Sequence, residues 1–204
     1  MKARSALLGL IIWTAVVAAD ATQASAADSS AYQVSGFRLG ATVEKIQAAA
    51  TKSGLITQNV VRGPSFEQAI MQAQSKLIPG RDYAGVRMVR ARGEAAEAQV
   101  TFAPTPEGPR AIKIVYDVLP GGPDIPTLEA KLLNDYGAPN QRSEREWVWG
   151  DTGAFYSRKN AYLEFRPNPV SAGVRRPIAT LILADPALQE RSRETIAVEA
   201  AKGS

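Results

Sequence analysis

Few residues in this chain could do chemistry, and two absences narrow the field at once. Among 204 residues there is no histidine and no cysteine. Serine–histidine–aspartate and cysteine–histidine nucleophilic sites need an imidazole base, so both are excluded, as are imidazole-dependent zinc sites. No S-x-x-K spacing brings a lysine amine beside a serine hydroxyl on a helix, and no G-x-x-x-x-G-K-[ST] phosphate loop occurs. What remains is carboxylates, aromatic rings and arginines. Glu144, Glu146 and Asp151 lie close enough in sequence to supply paired carboxylates for glycoside hydrolysis, which needs two of them roughly 5–10 Å apart. On one extended strand Glu144 and Glu146 share a face with Val148, while Arg145, Trp147 and Trp149 take the other. The simpler meaning of that alternation is an outward carboxylate face behind tryptophans packed in the core. The sharper one is a pair of indoles forming a platform on which a sugar or a peptide stacks.

Arg87, Arg90 and Arg92 crowd one run, and with Arg175-Arg176 they are the local basic concentrations of the chain. Only Arg90 and Arg92 share a strand face. They could bind an acidic partner or a lipid headgroup, or guard a strand edge against unwanted pairing. Arginine and aromatic side chains dominate interfaces, so Arg90, Arg92, Trp147, Trp149 and Tyr162 are the candidate contact residues of a binding surface. No catalytic residue, cofactor or metal is expected. The 24 basic residues exceed the 20 acidic ones by only four and are scattered among them. Nucleic-acid binders gather basic residues on one face, so nucleic acid is not an expected partner.

The elements that must position these residues read as follows. Tyr32–Arg38 is a strand candidate. Thr42 caps a helix from Val43 to about Ser53, with Glu44 at its positive end and Gly54 as its exit. Leu55–Val61 is a strand. Ser65-Phe66-Glu67-Gln68 is a capping box that opens a second helix, with Phe66, Ile70, Met71 and Leu77 at helical spacing and Pro79-Gly80 as its stop. Period-two runs then follow at Tyr83–Arg92, Ala95–Ala103 and Arg110–Leu119, broken at Gly93 and at residues 104–109, which is the pattern of a meander. Beyond the linker Pro120-Gly121-Gly122-Pro123, a helix spans Thr127–Tyr136. Strand runs follow at Glu144–Trp149, Ala154–Arg158, Ala161–Arg166 and Ile178–Ala184. The polar stretch 186–204 reads as a surface helix that frays into a disordered tail.

The first residues suggest a compartment. Lys2 and Arg4 precede an uncharged apolar run, Ser5–Ala19, that is shorter than the roughly 20 residues a membrane span needs. Ala24-Ser25-Ala26 then fits a signal-peptidase site. The expectation is a signal peptide at 1–26, cleaved after Ala26, with Ala19-Asp20-Ala21 as the second cleavage site and an uncleaved anchor as the alternative. The mature part would be periplasmic or secreted, with no stable membrane insertion. Residues 27–185 then form a single α+β domain, an antiparallel sheet with helices packed on one side. Helix, glycine exit and antiparallel strands occur in the same order on both sides of the linker. That order fits two tandem helix-plus-meander halves, 31–119 and 124–185. A two-layer domain reaches the same order without duplication.

Gly36-Phe37-Arg38-Leu39-Gly40-Ala41-Thr42-Val43-Glu44-Lys45-Ile46 resembles the opening of small exported bacterial envelope domains of the SmpA/OmlA type and of the wider β-lactamase-inhibitor-like fold. Leu132-Leu133-Asn134-Asp135-Tyr136-Gly137-Ala138-Pro139 with Trp147-Val148-Trp149-Gly150 resembles a second element of such domains, a helix, a Tyr-Gly-x-Pro stop and a Trp-bearing strand. Members of the assembly type are usually lipoproteins, and the absence of cysteine departs from that. The resemblance implies a helix layer on an antiparallel sheet and protein binding as the usual role. The functional expectation is therefore a binding or interaction module whose partner is an envelope protein. A small-ligand or glycan binder and a carboxylate-dependent hydrolase are the alternatives.

Overall fold

The local signals decide where the chain turns. In the computed structural model, residues 32–153, 158–168 and 176–203 are described. The expected signal peptide and its cleavage site lie outside them, as do Arg175 and most of the strand expected at Ala154–Arg158. The stretch read as one strand at the start is instead a hairpin. Ser35 and Gly36 take φ of 48° and 83°, the left-handed pair of a type I′ turn, and fold β1 (Gln33–Val34) back on β2 (Phe37–Arg38). Helix α1 (Val43–Lys52) is capped as its sequence demands, the Thr42 side chain accepting from the Lys45 amide.

β3 (Ile56–Gly63) leads to α2 (Phe66–Ala73), where Ser65 and Gln68 form the reciprocal capping box. α2 ends at Gln74, well before Pro79. Leu77, expected on its apolar side, lies outside the helix and is 95% exposed. The meander is as read: β4 (Gly85–Arg92), β5 (Ala96–Ala103) and β6 (Arg110–Val118) pair antiparallel in sequence order. After the linker, α3 (Ile125–Tyr136) starts before Thr127, because Asp124 caps it by accepting from the Thr127 amide and Pro126 sits in its first turn. β7 (Gln141–Arg142), β8 (Trp147–Gly150), β9 (Tyr162–Pro167) and β10 (Ala179–Ala184) complete the second half. α4 (Pro186–Lys202) is helical throughout its 17 residues where fraying was expected.

All the larger strands join one eight-stranded antiparallel sheet in the order β3-β4-β5-β6-β10-β9-β8-β7. The two meanders therefore meet through their last strands, from Ala179 opposite Val118 to Ala184 opposite Lys113. Their first strands, β3 and β7, become the outer edges. One sheet face carries Val89, Val100, Ile114, Leu163, Phe165 and Leu183 and is covered by Ile46 and Ala50 of α1, Leu132 of α3 and Phe37 of the hairpin. Each such side chain contributes about 1.5–3 kcal/mol when removed from water, so this layer is the core. On the other face the halves differ. The second half buries Val148, Tyr162, Ile182 and Ala184 there, while the first half leaves Arg90 and Arg92 exposed. α2 and α4 pack together at the end of the sheet where β5 finishes: Ser192 Oγ donates to the Pro104 carbonyl at 2.6 Å and Gln74 Nε2 to the Ala200 carbonyl at 3.0 Å. No helix among the described residues is long and apolar enough to cross a membrane.

Candidate functional site

The five candidate contact residues do not converge. Trp147 and Trp149 are 3% and 2% exposed, on the helix-covered face. Trp149 Nε1 donates to the Gly137 carbonyl at 2.9 Å, and Trp147 packs edge-on to Phe165 with the Arg142 guanidinium 4.0 Å from its ring. Both indoles are core residues, the simpler of the two meanings of the alternation, so neither is a contact residue and they form no stacking platform. Tyr162 is buried too, on the opposite face, beneath the Arg158 guanidinium at 4.4 Å. Only Arg90 and Arg92 of the five stand at the surface.

The carboxylates are arranged differently from expectation. Glu144 and Glu146 are not strand residues, because Ser143–Glu146 is a turn in which the Ser143 hydroxyl accepts from the Arg145 and Glu146 amides. Glu144 is exposed in that turn. Asp151 holds a loop together by accepting from the Gly153, Lys159 and Asn160 amides. Glu146 instead meets Glu164, which sequence reading passed over inside the apolar run of β9. The signal was a lone charge in Ala161-Tyr162-Leu163-Glu164-Phe165. Glu164 is 0% exposed. Arg158 Nη1 sits 2.6 Å from its Oε2, Arg166 pairs with its Oε1, and both guanidiniums approach Glu146 Oε1, at 3.8 and 3.7 Å. Two acids and two bases thus form a neutral, interlocked quartet. Glu164, its deepest carboxylate, is flanked by both arginines and sealed from solvent, so the quartet ties Arg158 to the sheet rather than presenting carboxylates to a sugar. Among the described residues no three acidic groups assemble as a metal would require.

The arginines occupy a different kind of place. Among the described residues β3 is the terminal strand at one end of the sheet and pairs only with β4. Its eight residues leave a row of outward amides and carbonyls, the usual template for a further strand. The opposite edge, β7, is only two residues long. Together β3 and β4 carry four arginines, Arg62, Arg87, Arg90 and Arg92, and no carboxylate. The antiparallel register sets Ile56 beside Arg92, Asn59 beside Arg90 and Val61 beside Met88 on the open face. Arg90 Nε donates to Gln99 Oε1 at 3.0 Å, which orients the guanidinium without neutralising it. Arg92 lies 3.8 Å from Glu97 on β5. Ile56 is 71% exposed, so the patch offers apolar surface as well as charge. Irregularities at Thr57/Asn59 and Val61/Arg62 interrupt the β3–β4 pairing and twist the edge strand locally. The sequence showed the arginines; it could not show that their strand neighbours an open edge, because strand order is a long-range property. No protein-family model, curated protein or solved structure matches the chain.

Proposed function

We propose that this protein is an exported envelope module that binds, without catalysis, an extended acidic segment of a partner protein along β3, with Arg90 and Arg92 facing the partner's carboxylates. The observation that carries this reading is the open eight-residue edge on a strand pair bearing arginines and no acids. Adding a strand supplies main-chain hydrogen bonds for affinity, and alternate side chains read the partner. The signal-like segment at 1–26 and the resemblance to exported envelope domains support a periplasmic or secreted setting. A photoreactive residue at Asn59 captures one recurrent envelope protein through an acidic stretch, and Arg90→Glu with Arg92→Glu weakens that capture about tenfold and removes its salt sensitivity. Capture that survives the double reversal, or that maps to a neutral or basic segment, refutes the reading.

A further inference from the structure

The helix-covered face of the sheet is not fully closed. Between the hairpin and the end of α1 on one side and α3 on the other lies a cavity of about 360 Å³. Its floor is Tyr116 and Val118 of β6 and Leu181 of β10, the two strands that join the halves. Leu55 and Leu132 form opposite walls. The wall beside Leu55 is thin because it is made of Gly54 and Gly93, and a side chain at Gly93 would meet Leu55 Cδ2 at 2.8 Å and the Gly54 carbonyl at 2.9 Å. An apolar recess of this size with a few polar groups at its mouth has the character of a small-molecule site.

The polar groups at the mouth decide which molecule. Most are satisfied within the protein. Ser53 Oγ donates to the Ser35 carbonyl at 2.8 Å, and the Tyr136 hydroxyl donates to the Gln33 carbonyl at 2.5 Å, which leaves the Tyr136 ring as what it presents. Lys131 Nζ is held 2.7 Å from Asp135. Glu94, exposed in the turn between β4 and β5, has no ion pair among the described residues. The mouth therefore carries two carboxylates against one ammonium, in a chain whose overall charge is +4. An entering anion meets uncompensated negative charge. A cation is drawn to Glu94.

We propose that this cavity binds a small hydrophobic amine, its hydrocarbon part against Val118, Leu132 and Leu181 and its ammonium at the mouth beside Glu94. The site lies on the opposite face of the sheet from the arginine edge and stands or falls separately from it. The test compares octylamine, 1-octanol and octanoate with the purified protein at pH 7 and low salt, by calorimetry and by methyl NMR signals of Leu132 and Leu181. Octylamine binds tightest and octanoate weakest. Glu94→Gln weakens octylamine by about two- to fivefold, the worth of an exposed charge pair, and leaves octanol unchanged. Leu128→Trp, which fills the recess from its partly exposed rim, abolishes binding of all three, with circular dichroism showing that the variant is folded. Octanoate binding as tightly as octylamine, an unchanged octylamine affinity in Glu94→Gln, or no shift of the Leu132 and Leu181 methyls with any probe overturns the proposal.

Discussion

At the scale of single residues, Glu164 and its partners are a costly arrangement. Taking charges out of water is repaid only when each has close partners, and removing one partner of a buried pair is far worse than replacing both. Arg158 is almost as buried as Glu164, its side chain only 4% exposed. Arg158→Met is therefore expected to destabilise by about 3–5 kcal/mol, and the double variant Arg158→Met with Glu164→Leu to recover most of it. Urea denaturation midpoints measure both, and a double variant no better than the single would show that the quartet does not act as a unit. Glu146 adds a pH dependence. Burial pushes its carboxyl up, and the hydrogen bond and charge of Glu164 push the same way against the pull of Arg158 and Arg166. A carboxyl whose pKa is higher folded than unfolded stabilises fully below its unfolded value, and that contribution is lost as pH rises through the folded value. Stability should thus fall as pH climbs out of the ordinary carboxylate range, and Glu146→Gln should flatten that fall. Asp151 has the opposite sign. Burial alone would raise it, but backbone amides of Asn160, Gly153 and Lys159, with Arg158, outweigh burial and hold it down, so its contribution is lost on acidification. Denaturation midpoints across a pH series separate the two, and coincident profiles for wild type and Glu146→Gln would contradict this account.

At the scale of elements, what was legible was local. Thr42, the Ser65–Gln68 box and Gly54 marked helix ends because capping is settled within four residues, and Gly93 with residues 104–109 marked the meander turns for the same reason. The alternation that put Trp147 and Trp149 opposite Val148 survived, since the strand is extended there; the extrapolation back to Glu144 failed because Ser143 folds the preceding residues into a turn. The Ser35–Gly36 turn was missed because Ser35 stands where such a turn prefers asparagine or aspartate, although Gly36 suits its positive φ. Asp124 and Pro126 were signals present but unread. What was not legible depends on distant chain: the position of β3 at an edge, the guanidiniums that close over Glu164, and the docking of α4 on α2 that keeps a polar stretch helical. The hairpin offers a prediction at this scale. Type I′ turns favour Asn-Gly, and Ser35 already sits at φ 48° with its side chain exposed. Ser35→Asn should raise stability by a few tenths to about 1 kcal/mol in thermal unfolding, because asparagine tolerates that backbone better than serine.

At the scale of the whole molecule, the join between the halves matters more than the link between them. The linker at 120–123 is a surface turn with an exposed Pro120, whereas β6 and β10 form six directly opposed residue pairs and place Ile114, Tyr116 and Val118 beside Leu183, Leu181 and Ala179 in one continuous core. The Thr180 hydroxyl adds a 2.6 Å hydrogen bond to Asp117 across the same seam. Each half alone would expose an unpaired, apolar strand along its inner edge, a condition that stable sheets avoid. The covalent link should therefore be dispensable after folding, while the seam should not. With a protease site inserted after Pro120, the cleaved chain is expected to elute from a sizing column as one species with a native circular dichroism spectrum. Leu181→Asp, which sets a charge in the floor shared by the seam and the cavity, should cause the cleaved halves to separate or aggregate, since an unpaired buried carboxylate costs several kcal/mol. Separation of the cleaved halves without that substitution would mean that the sheet is held across the linker and not by its central strands, and the cavity built on β6 and β10 would then lose its rigid floor.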